Sequence, residues 1–306
     1  MIKSFTVTNY LGDAIEMELG RPELTGLLIS SVSGLGPVKA TINTSEVATY
    51  DGSRFNSARS TQRNIVFQIK FMNSVAGESI EDARLKTYKY FPVKKKVELV
   101  IKTENRVAKI DGYVESNEPD IFSSQESAQI SIICPDPYFY SIDNDIQTTN
   151  FYFVEPMFEF PLINDSLTEP TLLLGDIDNS TEGIITYYGD TDIGMIINIH
   201  ASDAATNIRV YNIRSKESML IDTSIIKKMT GSGVIAKDEI VINTMTGEKS
   251  ITLIRDGVTY NILNCLGKDT SWLTLSKGDN LISFTADTGL DNLQFRVDNY
   301  IVYEGI

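Results

Sequence analysis

A catalytic triad needs a base beside a nucleophile, and the chain offers one histidine for that part, His200. It closes the apolar run Ile196-Ile197-Asn198-Ile199. Nothing around it marks a nucleophile, so it reads as a structural or exposed strand-end residue. Cys134 and Cys265 lie in different halves of the chain. Two cysteines make no disulfide framework, and with one histidine they make no zinc site. Both read as reduced, buried thiols. Asp176, Asp178, Ser180 and Glu182 place oxygen ligands at alternate positions, a calcium-like spacing. The segment lacks the turn glycine and distal glutamate of an EF-hand loop, so a solvated acidic loop is preferred and no metal is expected. Gly231-Ser232-Gly233 fits neither a phosphate-binding loop nor a dinucleotide fingerprint, and reads as a flexible turn. Trp272, with Tyr187 and Tyr188, could stack on a sugar, but Trp272-Leu273-Thr274-Leu275 alternates like a strand that turns its tryptophan to the core. With 41 acidic residues, carboxylate pairs for glycoside hydrolysis occur by abundance alone. No cofactor is expected.

The elements that must position these residues are bounded by composition. The 306 residues allow two domains, and 42% hydrophobic content is enough for real cores. No apolar run approaches the roughly 20 residues that cross a bilayer, so membrane insertion is not expected. The start, Met1 to Val7, reads as a strand rather than a signal peptide, which suits assembly in a cytoplasm. The net charge of −14 repels phosphate backbones and argues against specific nucleic-acid binding. Lys94-Lys95-Lys96 reads as a solvated turn or as lysines blunting a sheet edge.

The periodicity is overwhelmingly that of strands. Arg255-Asp256-Gly257-Val258 is the strongest hairpin signal, because Asp-Gly supplies the positive φ of a tight primed turn. Glu78 to Phe91 has helical period, with acidic residues at its start and Pro92 at its end. Tyr50, Asp51, Gly52, Arg54 and Phe55 belong to a polar loop longer than a tight turn, able to reach a neighbour. Ser131 to Cys134 is an apolar strand that runs into Pro135-Asp136-Pro137-Tyr138. Two prolines cannot continue a sheet ladder, and both press the residues before them toward extended backbone. The motif Cys134, Pro135, Asp136, Pro137, Tyr138 therefore reads as a rigid, extended exit at a domain boundary. With the polar stretch Ile142 to Asn150 as linker, the domains are expected at residues 1–143 and 144–306.

In order, Tyr50-Asp51-Gly52, Ser60 to Ile65, the helix, Gly112-Tyr113-Val114-Glu115 and Ile132 to Tyr138 resemble the distal tail protein (Dit) family of long-tailed bacteriophages. The resemblance continues through Pro161 to Asn164, Pro170 to Leu172, Lys237 to Thr244, Ser271 to Leu275 and Gly278 to Ile282. Asn164-Asp165 departs from the Asn-x-Gly frequent in that family. The resemblance implies a mainly β chain with an N-terminal split β-barrel carrying one helix and a C-terminal galectin-like β-sandwich. It implies a structural phage tail protein rather than an enzyme. Such subunits form a homo-hexameric ring with a central DNA channel at the distal end of the virion tail. Implied partners are the tail tube protein, a tail-tip or tail-associated lysin protein, and the receptor-binding protein. The alternative is a carbohydrate-binding module that helps the tail adhere to the host cell wall.

Overall fold

The computed structural model describes residues 1–46, 51–142, 146–156 and 175–306, with side chains described throughout except at 153–156 and 175–179. These residues form a mainly β chain in two compact units, Met1–Asn144 together with Val302–Ile306, and Asp145–Ile301. No helix among the described residues is long and apolar enough to cross a membrane.

The first unit contains β1 (Ile2–Asn9), β2 (Ala14–Glu18), β3 (Leu27–Ser33), β4 (Ala40–Glu46), β5 (Ser53–Ser60), β6 (Arg63–Phe71), α1 (Ile80–Tyr90), β7 (Lys96–Thr103), β8 (Val107–Asp120), β9 (Ser127–Cys134) and β10 (Phe139–Ser141). Its main sheet is antiparallel in the order β2-β1-β7-β8-β9-β6-β3. Apolar residues alternate along β6 and β7, so one face of the sheet is buried. Phe5 on β1 and Phe67 on β6 meet edge to face at 5.2 Å. Those strands are four ladder steps apart, roughly 19 Å in a flat sheet, so the sheet must curl to bring them together. No ladder joins β2 to β3 among the described strands, which makes the barrel split. Helix α1 is held at its start by a capping box, in which Ser79 and Asp82 exchange hydrogen bonds. Its buried Ala83 and Thr87 face the sheet, and Phe91 stands 6.1 Å from Phe67.

The second unit contains β11 (Gln147–Asn150), β12 (Tyr152–Pro156), β13 (Gly175–Asn179), β14 (Glu182–Tyr187), β15 (Ile196–Ala201), β16 (Ile208–Asn212), β17 (Glu217–Ile221), α2 (Thr223–Thr230), β18 (Glu239–Asn243), β19 (Ser250–Arg255), β20 (Val258–Asn261), β21 (Gly278–Thr285) and β22 (Leu293–Asn299). A six-stranded sheet, β11-β22-β15-β18-β19-β20, and a four-stranded sheet, β14-β21-β16-β17, are both antiparallel. Phe284 of the smaller sheet stacks on Phe295 of the larger at 3.7 Å and meets Phe151 edge to face at 4.8 Å. The sheets therefore face each other across one core, as a β-sandwich. Asp256 and Gly257 form the expected two-residue turn, with φ of 50° and 76°, between paired Arg255 and Val258.

Three expectations are corrected, and one helix is added. The segment Ser53–Ser60 is a strand paired with Ala40–Glu46, not a loop, because its residues alternate and its partner strand lies close in sequence. Val302–Tyr303 pairs with Phe139 and Tyr140 in the first unit, whereas the sequence places it in the second. A two-residue strand carries too little pattern to reveal its partner. Helix α2 has no counterpart in the sequence reading, although Asp222 caps its start and Gly231 at φ 85° ends it. Trp272 lies outside any strand and is partly exposed, with Lys249 Nζ 5.2 Å from its ring, while Leu273 and Leu275 fill the core.

Candidate assembly surface

Strands β4 and β5 form a two-stranded sheet of their own. Residues opposite one another in such a pair share a face. The pairs Ala40–Ser60, Ile42–Ala58 and Thr44–Phe55 therefore make one face, with a bulge at Asn56. The other face carries Thr41, Asn43, Ser45, Arg54, Ser57 and Arg59. There Asn43 Nδ2 donates to Ser57 Oγ at 3.0 Å and Ser45 Oγ donates to Asn56 Oδ1 at 3.3 Å. Ile42 and Phe55 are each 62% exposed, and of the described hairpin residues only Thr41 is partly buried, the rest being exposed. The result is an amphipathic arm whose apolar face is bare. Of the predicted contact residues, Arg54 and Phe55 lie on this arm, on opposite faces. Asp51 and Gly52 lead into β5, both exposed. Tyr50 lies outside the described residues.

Both roots of the arm converge on Arg63. The incoming root is Gly34 to Lys39, after β3; the outgoing root is Thr61 and Gln62, before β6. Thr61 ties the two together, with its N and Oγ1 donating to Lys39 O at 3.3 and 3.1 Å. Arg63 is 1% exposed. Its Nη1 donates to Gly34 O at 2.5 Å and Gly36 O at 2.6 Å, Nε to Pro137 O at 2.7 Å, and Nη2 to Glu304 O at 2.7 Å. The guanidinium lies 4.3 Å from the Phe139 ring centre. A buried charge is tolerated only when its donors are largely satisfied, and here four of the five N–H donors reach carbonyls while the plane lies on an aromatic face. Burial pulls the Arg63 pKa below its ordinary value, and the nearby Cys134 partly counters this.

The Pro135 to Tyr138 motif ends β9 as its prolines require, but it bends rather than runs on extended. Asp136 closes the bend, accepting from Tyr138 N at 3.1 Å and from Tyr140 Oη at 2.6 Å. Tyr138 Oη shares a hydrogen bond with Ser60 Oγ at 3.3 Å, so the motif braces the arm. Nothing in the local pattern shows that a carbonyl of this motif receives the Arg63 guanidinium. Cys134 is fully buried beside Gly112. Burial pushes its thiol up to about 12, with Arg63 acting in the opposite sense.

In the second unit, His200 lines an open cleft of about 250 Å³ on the outer face of the six-stranded sheet, with Tyr152, Asn198, Glu239, Gln294 and Arg296. His200 Nδ1 is 3.9 Å from Glu239 Oε1. Asp298 organises the cleft, accepting from Asn198 Nδ2 at 2.8 Å and Arg296 Nε at 3.1 Å. Tyr187 is buried, with its hydroxyl donating to Thr191 O, while Tyr188 is 67% exposed; they do not form one platform. Asp176 and Asp178 fall in β13 rather than in a loop, and their side chains lie outside the described residues. Ser180 Oγ donates to Glu182 O at 2.6 Å. Among the described residues no group of three histidines, cysteines or carboxylates could hold a metal. The Gly231 to Gly233 turn is anchored, since Arg255 donates to Ser232 Oγ at 2.7 Å and Gly233 O at 2.6 Å.

No family model matches the sequence, and no curated protein matches it significantly. Among solved structures, this chain is similar to the Dit protein (gp 19.1) of phage SPP1, described as a paradigm of hub adsorption apparatus in phages infecting Gram-positive bacteria. The TM-score is 0.63 at 12% identity, covering 98% of this chain and 99% of that one. Two structures of the phage P2 baseplate in its activated conformation, with Ca and with Sr, give TM-scores of 0.45 and 0.43. Their identities are 15% and 14%, over 98% and 97% of both chains; scores this low do not by themselves establish a shared fold. The arrangement of barrel, helix and sandwich in this chain is the Dit-like fold.

Proposed function

We propose that this protein is a structural hub subunit of a phage tail, and that its copies close into a six-membered ring through the β4–β5 arm. One observation carries the reading. An isolated two-stranded hairpin is marginal in water, yet this one stands apart from the main sheet with its apolar face uncovered. A neighbouring copy would cover Ile42, Phe55 and Ala58, and head-to-tail repetition of that contact closes a ring. In the hub reading the ring sits at the distal end of the virion tail. It joins the tail tube protein to tail-tip or lysin proteins and to the receptor-binding protein. The net charge of −14 suits a channel through which DNA passes without sticking. The test replaces Ala40–Ser60 by a short Gly-Ser turn and compares particle mass by sedimentation across a concentration series. The intact chain should reach a closed oligomer and the armless chain should stay monomeric. Equal masses at every concentration would refute the reading.

A second reading, saccharide binding by the sandwich, draws support from the cleft around His200. The Asn198 amide and Arg296 guanidinium, both held by Asp298, and the His200 imidazole beside Glu239 could meet sugar hydroxyls near the Tyr152 ring. A glycan array probed with the protein and with Arg296→Ala tests it; binding absent from both ends this reading.

A further inference from the structure

The partners of Arg63 come from three stretches that are far apart in sequence. Gly34 and Gly36 belong to the incoming root of the arm. Pro137 lies just ahead of the point where the chain leaves the first unit at Asn144, and Glu304 lies just past the point where it returns at Val302. Arg63 itself begins the strand after the outgoing root. The returning segment is seated further: Ile306 N donates to Leu35 O at 3.0 Å. Gly305 lies so close that a Cβ there would be 3.1 Å from Leu35 O and 3.2 Å from Pro37 Cδ. The incoming root contains two glycines and no regular structure. Left to itself such a tether samples many directions.

We infer that Arg63 is a positioning residue for assembly, a latch that aims the arm only while residues 302–306 are docked against its root. The inference rests on the ring reading for its consequence, though not for its geometry. One planar fork reaches four carbonyls at once; a lysine ammonium has three donors and no fork, and cannot reproduce the set. Holding Gly34 and Gly36 fixes the direction in which β4 departs. Losing the guanidinium, or Glu304–Ile306, would leave every fully buried apolar side chain of the barrel in place, with only the partly buried Ile306 removed from its margin, and would set the arm swinging. A swinging arm must be ordered at each encounter, which weakens association.

The experiment uses the full chain, Arg63→Lys, and a chain lacking Glu304–Ile306, each carrying spin labels at Ser57→Cys on the arm and Lys102→Cys on the barrel. Both native thiols are buried. Pulsed electron resonance reads the arm-to-barrel distance in dilute protein, and sedimentation reads mass at high concentration. The intact chain should give one narrow distance. Both variants should keep the far-ultraviolet circular dichroism of the parent, give a broadened distance distribution and lose the oligomer. The truncated chain retains Arg63 and every fully buried side chain, so it decides the matter if Arg63→Lys fails to fold. A narrow, parental distance in the truncated chain overturns the latch. An intact chain that stays monomeric at every concentration overturns the ring instead, so the two failures are distinguishable.

Discussion

At the scale of single residues, Cys134 and Arg63 show how burial sets chemistry. The Cys134 thiol is raised from 9.0 to about 12, chiefly by burial, and a thiol that stays protonated is a poor nucleophile. Iodoacetamide at pH 8 should therefore leave Cys134 unmodified in the folded protein; labelling at the rate of a free thiol would contradict its placement. The same burial couples stability to pH. Between pH 9 and 12 the unfolded chain loses this proton while the folded chain keeps it, so the folded state binds more protons and stability falls as pH rises. Below pH 9 both states are protonated and this group contributes no slope. Urea midpoints should decline from pH 9 upward, with a shallower decline in Cys134→Ala. That Cys134 packs inward is legible in the apolar alternation of Ile130, Ile132 and Cys134. The role of Arg63 is not, because its four acceptors are backbone carbonyls, which every residue type supplies equally.

At the scale of elements, the β19–β20 hairpin and the arm form a contrast. The first is specified locally: Asp256 and Gly257 both take positive φ, and β19 packs its buried Ile251 and Leu253 into the sandwich. Replacing Gly257 by alanine places a Cβ in the left-handed region and should cost about 1–2 kcal/mol, read as a lower urea midpoint; an unchanged midpoint would sink the turn assignment. The arm is tied at its roots, but its apolar face has no such packing among the described residues of its own chain. Ile42→Asp and Phe55→Asp should change the stability of the monomer by no more than about 0.5 kcal/mol, as for most surface substitutions. The same substitutions should abolish assembly in sedimentation. A large loss of monomer stability would show that the apolar face is covered within the subunit.

At the scale of the whole molecule, charge governs how copies meet. Each carries −14, so neighbours repel, and the repulsion is screened as the Debye length falls from about 10 Å at 0.1 M salt to about 3 Å at 1 M. With an apolar contact at its centre, the proposed ring should gain affinity as salt rises. Sedimentation at low and high sodium chloride checks the sign, and dissociation by salt would mean that ion pairs dominate the interface instead. The charge also shapes the single subunit, where lysines and arginines meet carboxylates, as in Lys96–Asp111 at 2.8 Å and in Arg84, which bridges Glu126 at 3.0 Å and Glu81 at 3.3 Å.

By itself the sequence determined the β character of both halves, the helix, the end of β9 at its prolines and the Asp-Gly turn. Each of these depends on side-chain alternation or backbone restriction within a few residues. Only the tertiary structure decided that Ser53–Ser60 pairs into a free arm, that Val302–Tyr303 returns to the first unit, and that one guanidinium joins the arm's roots to Pro137 and Glu304. Those outcomes depend on hydrogen bonds between residues as much as 241 positions apart, and backbone carbonyls leave no mark on the pattern of side chains.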